Sequence, residues 1–239
     1  MKYLDLTFPT PEHNLACDEA LLDMCEEGYD HEILRFWEPE EHFIVLGYSR
    51  KIHLDVNLSA CEARNISVLR RPSGGGTVLQ GPGCLNFSLV LKMENSKPLN
   101  NLGETNCFVM NQNKKALEPI LGSNLEVRGL SDLTWRNLKF SGNAQRRKRH
   151  FLLFHGTFLT ALDISLIEEL LPIPSKQPSY RNNRPHTTFL TNLNISHQKI
   201  KQALQKSWGA KEPLERIPKE TINQLVKNRY TTRDWNYKF

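Results

Sequence analysis

The chain has 239 residues, 39% of them hydrophobic and 24% charged, with a formal net charge of +5. That balance suits an ordinary globular domain; it is too apolar for a disordered chain and too mildly basic to specify a polyanionic partner. The opening residues MKYLDLTFPTPEH carry Asp5 and Glu12 and lack an apolar signal core, and the longest apolar runs, such as HFIVLG, are strand-sized. Neither a signal peptide nor a membrane span is expected, which points to the cytoplasm.

Taken in chain order, Leu15, Ala16, Ala20, Leu21, Leu22 and Met24 recur at helical spacing and predict an amphipathic opening helix from Pro11 to Glu27. EILRFWEP and HFIVLGYS read as two strands joined by a short charged turn, and LDVNLSACEARN as a helix capped by Asp55. ISVLRRPSGGGTVLQGPGCLNFSLVLKM reads as strand, glycine loop, strand, turn, strand. A helix is expected over 104–121, followed by short strands over 124–162 broken at Gly129, the Arg136-Asn137 turn, Gly142 and Gly156. A proline-rich loop over 172–185 then leads into two polar helices, SHQKIKQALQKSW and PKETINQLVKNRY. Strands gathered between flanking helices, without β-α alternation or repeats, predict one α+β domain (1–239) around a central mixed, mainly antiparallel sheet.

Five cysteines, Cys17, Cys25, Cys61, Cys84 and Cys107, are odd in number and scattered, so they read as reduced thiols rather than as disulfides or a zinc site. His150 and His155, an odd number of residues apart, fall on opposite faces of a strand and make no metal pair. The basic run from Arg146 to His150 reads as a solvated hairpin end, and without a recognisable module no nucleic-acid partner is expected.

Two stretches carry chemistry. In RRPSGGGTVL three glycines weaken any regular element, so something must approach the backbone there. Leu79 stands where a dinucleotide fingerprint needs glycine, and no G-K-[ST] follows, so neither nucleotide template fits. Bare N–H groups suit a flat or linear ligand with an anionic end. Arg70 and Arg71 alternate across a strand, and one should face the glycines as a carboxylate or phosphate partner; the alternative is a flexible hairpin. Lys139 lies in an apolar strand just before Ser141-Gly142, where a bulge or close backbone approach is expected. There it presents a fixed cation, although a lysine so placed, taken alone, is more often an edge-strand gatekeeper.

Taken together, NLACDEALL, LRFWEP, VLGYSR, RRPSGGGTVLQGPGCLNFSL, SDLTWRNLKFSGNAQRR, HGTFL and RDWNYKF resemble the lipoate-protein ligase family, within the biotin and lipoate ligase-like and octanoyltransferase catalytic domains. The resemblance implies a pocket for a medium-chain acyl group. It places Arg71, Ser73, Gly74, Gly75, Gly76, Asn86, Gly142, His155 and Gly156 on the substrate, Lys139 at the reacting carboxyl, and Asp132, Thr77, Val78 and Arg181 toward a nucleotide. The implied reaction uses ATP and Mg²⁺ to activate lipoate or octanoate as an acyl-adenylate, then passes the acyl group to a lysine of an acidic lipoyl-acceptor domain. The proline-rich loop would close over the intermediate.

An octanoyltransferase is the alternative. It needs a cysteine to form a thioester, just before the SDL-like strand or after HGT, and residues 108–239 contain none. A biotin ligase would carry a GRGRxGR-type loop, which is absent. Typical ligases also have an accessory domain beyond the W-N motif, whereas this sequence stops at Phe239, after Trp235-Asn236. Either a separate accessory subunit supplies it or the domain works alone; an acyl-binding homologue without catalysis is the third reading.

Overall fold

The computed structural model describes residues 1–93 and 98–239. Its first half comprises β1 (Lys2–Asp5), α1 (Pro11–Glu26), β2 (Ile33–Trp37), β3 (Phe43–Leu46), α2 (Ile52–Asp55), α3 (Leu58–Ala63), β4 (Ser67–Arg70), β5 (Val78–Gln80), β6 (Cys84–Lys92) and α4 (Leu102–Leu121). Next come β7 (Leu125–Arg128), β8 (Asp132–Trp135), β9 (Leu138–Arg147), β10 (Phe151–Leu159) and α5 (Ile164–Leu170). The chain continues through a 3₁₀ turn (Ser179–Arg181), α6 (His186–Phe189), α7 (His197–Trp208), β11 (Glu212–Pro213), α8 (Lys219–Leu225), a π turn (Val226–Tyr230) and α9 (Arg233–Asn236).

The main sheet runs β11-β1-β2-β6-β10-β9-β8-β7, parallel where β1 meets its two neighbours and antiparallel elsewhere. A smaller sheet, β4-β3-β5, lies beside it. The expected mixed, mainly antiparallel α+β architecture is therefore present.

Period-two alternation gives the main sheet two unlike faces. On one, Leu34, Phe36, Phe87, Leu89, Phe140, Phe154 and Phe158 meet Val109, Met110 and Leu117 of α4 and Ile200 and Leu204 of α7. Burying each such side chain contributes about 1.5–3 kcal/mol. On the other, Ile33, Val90 and Leu153 pack under Leu15, Leu21 and Leu22 of α1. Adjoining rows on this second face are small or polar: Arg35, Ser88, His155 and Ala144 sit abreast, then Trp37, Asn86, Thr157, Gly142 and Asp132.

That polar strip explains why α1, expected to be simply amphipathic, buries Asn14, Asp18 and Glu19 as well as its leucines. Fully buried Arg35 donates to Asp18 Oδ1 (2.5 Å), Asn14 O (2.8 Å) and Asn14 Oδ1 (2.9 Å). Glu19 accepts from Tyr230 Oη (2.7 Å) and pairs with Arg229. Thr10 caps α1 and Pro11 opens it, where the missing N–H costs nothing.

Several local expectations need correction. β2 and β3, successive in the chain, lie in different sheets, because β3 is bonded by β4 on one side and β5 on the other. The 54–65 helix breaks at Val56: Asn57 caps α3 by accepting from Ala60 N, while Asp55 ends α2 and pairs with Arg50 at 2.5 Å. Gly142 and Gly156 lie inside β9 and β10 rather than between strands. The bulge falls at Phe140, since Thr134 faces Lys139 and Leu133 faces Ser141. Among the described residues no helix is long and apolar enough to cross a membrane.

Replacing Arg35 with alanine strands the Asp18 carboxylate in the interior. The expected loss is about 3–5 kcal/mol, read as a lower urea midpoint in equilibrium unfolding.

Candidate active site

Because β3 lies between β4 and β5, residues 71–77 cannot turn back as a hairpin and must cross the end of β3. They cross at Gly47. A Cβ added there would stand 2.3 Å from Gly75 O, far inside contact distance, so the crossing requires glycine. Gly75 itself has φ +91°, a conformation that side chains disfavour. Beside Gly74 and Gly76 the space a side chain would fill is open, which leaves a bare wall.

Arg71 holds this loop. Its guanidinium donates to Gly74 O (2.8 Å), Gly76 O (2.7 Å), Val45 O (3.3 Å) and Ser73 Oγ (3.1 Å). Burial pushes its pKa down to about 10, which still leaves it protonated at neutral pH. The arginine facing the glycines is thus Arg71, but as the loop's scaffold, with its donors turned onto carbonyl oxygens rather than free for a ligand. Arg70 points the other way and donates to the carbonyls of Gly47, Tyr48, Arg50, Trp235 and Asn236 at 2.8–3.1 Å.

Ser73 Oγ lies 2.6 Å from His155 Nε2, and His155 Nδ1 lies 3.9 Å from Asp18 Oδ2, an oxygen with no hydrogen-bond partner. Burial depresses His155 to about pKa 4, so the ring is neutral at pH 7. Asn86 closes a buried triangle: its amide donates to Gln80 Oε1 (3.0 Å), Gln80 donates to Thr157 Oγ1 (2.6 Å), and Thr157 donates to Asn86 Oδ1 (2.5 Å).

The cationic end is built on β8 and β9. Lys139 Nζ lies 2.8 Å from Asp132 Oδ1, and Tyr180 donates to Asp132 Oδ2 at 2.7 Å. Burial, then the Asp132 charge, drives the Tyr180 hydroxyl far above its usual range, so it stays a donor. Nζ sits over Gly142, where an added Cβ would be 3.0 Å away. The glycine loop reaches the same strand two residues on, where Gly75 faces Ala144. The two ends are thus about 7 Å apart along β9.

The proline-rich loop docks against this point. Thr191 N donates to Lys139 O (2.9 Å), and Arg181, 4% exposed, stacks on Phe189 at 4.7 Å. Arg181 Nη2 and His186 Nδ1 are buried without hydrogen-bond partners. His186 falls to about pKa 4 through burial, then through the charges of Arg181 and Lys139.

Other expected site residues lie elsewhere. Gly156 faces the apolar side of the sheet, where its missing side chain admits Asn143 and the Phe87 ring, on the face opposite Lys139 and the glycine loop. Thr77 donates to Asp55 (2.5 Å) and Val78 pairs with Val45; among the described residues no hydrogen bond or ion pair links either to Lys139 or Asp132. Gly47, Tyr180 and His186 were missed. Gly47 lies within VLGYSR, and Tyr180 and His186 within SYRNNRPHTTFLTNL, but contacts made across chain crossings carry no spacing signal that singles them out.

A model of the lipoyl protein ligase A/B catalytic domain matches residues 10–209. The chain belongs to this family. Across 99% of its length it is 24% identical to octanoyltransferase LipM of Halalkalibacterium halodurans, covering 98% of that protein. Its fold matches a bi-partite lipoate protein ligase of Thermoplasma acidophilum with a TM-score of 0.83 at 22% identity, covering 99% of this chain and 95% of that one. It also matches a lipoate-protein ligase A solved with bound ATP, TM-score 0.79 at 23% identity, over 99% and 98% of the two chains. This family member is an enzyme of the lipoate ligase and octanoyltransferase group, and its glycine loop packs against β9, the strand that carries Lys139.

Two outcomes follow. Gly47→Ala overpacks the crossing and lowers stability by about 1–3 kcal/mol, visible as a lower melting temperature. His155 and His186 are harder to protonate folded than unfolded, so the unfolded chain binds more protons between about pH 6.5 and pH 4. Stability should therefore fall as pH drops through that window, and His155→Gln should flatten the fall in pH-dependent melting.

Proposed function

We propose that this chain activates lipoate or octanoate with ATP and transfers the acyl group to a lysine of a lipoyl-acceptor domain. The observation that carries this reading is a cluster of cationic side chains with unpartnered nitrogens and no thiol. Lys139 is paired with Asp132, Arg181 and His186 keep unpartnered buried nitrogens beside it, and all five cysteines lie elsewhere. Cys17, Cys25 and Cys84 are buried and pushed up to about pKa 11–12, so they are inert at neutral pH. Cys61 is buried and raised as well. Exposed Cys107 sits on α4, beside Asn111.

A thioester-forming transferase needs a thiolate against the acyl carbonyl. An adenylating enzyme instead needs cations for a carboxylate meeting a phosphate, and this site offers those. In this reading the bare wall at Gly74 and Gly76 admits the acyl chain, and Lys139 holds its carboxylate. Arg181 takes phosphate oxygens, as suits a bidentate donor. Asp132 and Tyr180 fix the lysine. Among the described residues no three His, Cys, Asp or Glu side chains converge, so Mg²⁺ would arrive with the triphosphate instead of resting in a protein cage. The ATP-bound and bi-partite ligases of the same fold support ATP use and leave room for a separate accessory chain. The octanoyltransferase relatives favour the second reading, transfer from an octanoyl carrier.

The test is lipoate-dependent ATP-pyrophosphate exchange beside octanoyl transfer from carrier protein. Exchange is expected, with Lys139→Ala reducing it by about 100-fold or more. Arg181→Ala should mainly raise KM for ATP. Cys107→Ser should leave the rate unchanged. Transfer from carrier protein without exchange, abolished by a cysteine substitution, would replace this reading with the transferase.

A further inference from the structure

A second feature borders the glycine loop on the outside. Tyr48, Trp235, Tyr237 and Phe239 form an aromatic surface, with Tyr48 5.8 Å from Trp235 and 5.9 Å from Phe239 between ring centroids. Tyr48, Tyr237 and Phe239 are 37–41% exposed. Cations lie over these rings: Lys238 at 5.0 Å from Tyr48 and 5.4 Å from Phe239, Arg229 at 4.6 Å from Trp235, and Arg233 at 4.9 Å from Tyr237. Lys238 also donates to Tyr48 Oη at 3.1 Å, and with the charges of Arg146 and Arg229 holds that hydroxyl below its usual range. Among the described residues neither Lys238 nor Arg233 has a carboxylate within ion-pair distance, and Asp234 is the one acidic residue between 231 and 239.

This surface is held rigidly. Trp235 Nε1 donates to Arg70 O (2.8 Å), Asn236 Oδ1 accepts from Arg70 N (3.0 Å), and Ile52 N donates to Phe239 O (3.2 Å). It also abuts the loop that forms the bare wall: Tyr48 N donates to Ser73 O (2.8 Å) and Arg146 Nη1 to Pro72 O (3.2 Å). Exposed, pre-ordered tyrosine and tryptophan interleaved with arginine is the composition of an interface hot spot. Its unbalanced positive charge selects a negatively charged protein.

We propose that this face docks the acidic acceptor domain, whose lysine must reach the site around the edge of the glycine loop. The inference rests on the acyl-transfer reading above, yet it is testable apart from it. Binding of an unlipoylated lipoyl domain of net negative charge is measured directly by fluorescence anisotropy. Transfer to that domain and pyrophosphate exchange without it are measured alongside. In the Arg233→Glu/Lys238→Glu double variant and in Tyr237→Ala, exchange should stay within about two-fold, while Kd and KM for the domain rise about ten-fold or more. The wild-type affinity should weaken with salt, and the variants should show a shallower dependence.

Unchanged Kd and KM in the double variant would overturn the proposal. So would sedimentation showing a wild-type dimer that the double variant dissolves, since the face would then belong to a second copy. Absence of exchange in the wild type would count against ATP activation alone, because the binding measurement still decides the surface. A drop in melting temperature is checked in each variant, and Lys238→Gln, which removes charge without reversing it, should give an intermediate loss of affinity.

Discussion

The Arg71 guanidinium is buried with no carboxylate beside it among the described residues, and it is compensated by carbonyl oxygens, chiefly those of the loop it supports. This places a cation inside the protein in the one way that leaves its surroundings uncharged, through dipoles instead of an ion pair. The carbonyls of Gly74 and Gly76 are thereby turned inward, onto Arg71. The crossing over Gly47 fixes the loop's height above β3, and Ser73, bonded to both Arg71 and His155, ties it to the sheet. A linked series then runs from the loop through Ser73 and His155 toward Asp18 and Arg35, so the site and the packing of α1 share one polar network.

The sheet's asymmetry makes that network affordable. One face is continuous aromatic and aliphatic core, covered by α4 and α7, and accounts for much of the burial. The other face gives up apolar area along two rows to carry His155, Thr157, Asn86 and Gly142. An unmatched polar group there costs more than a matched one gains, and Trp37 Nε1, Ser88 Oγ and Asp18 Oδ2 are buried there without hydrogen-bond partners. The Gln80, Asn86 and Thr157 triangle meets its own demand internally. Arg181 and His186, near Lys139, retain unpartnered nitrogens and mark where a further group would be satisfied.

Within one family, ligase and transferase chemistry differ in what meets the acyl carbonyl: cations gathered for an anhydride or a thiolate poised for a thioester. In this chain the cations are assembled on β9 and the 179–189 segment, and the thiols are sequestered in the core or displaced to α4. Asp132 serves Lys139 directly, and Tyr180 supports Asp132 from the loop, so the lysine's position depends on two separate chain segments.

The sequence by itself determined the class of fold and most helices and strands, and it singled out the triple glycine and Lys139, which the fold brings together at β9. Those features are local: alternation and helical spacing follow from backbone geometry, and a glycine run advertises a close approach. The residue pattern alone left Arg70 and Arg71 undivided, placed breaks at Gly142 and Gly156 inside what are continuous strands, and carried no sign of β3 lying between β4 and β5. Only the tertiary structure decided these, because inserting β3 between β4 and β5 is a long-range pairing. That insertion alone sends the loop across Gly47, turns Arg71 beneath it, and assigns each strand residue to one face or the other.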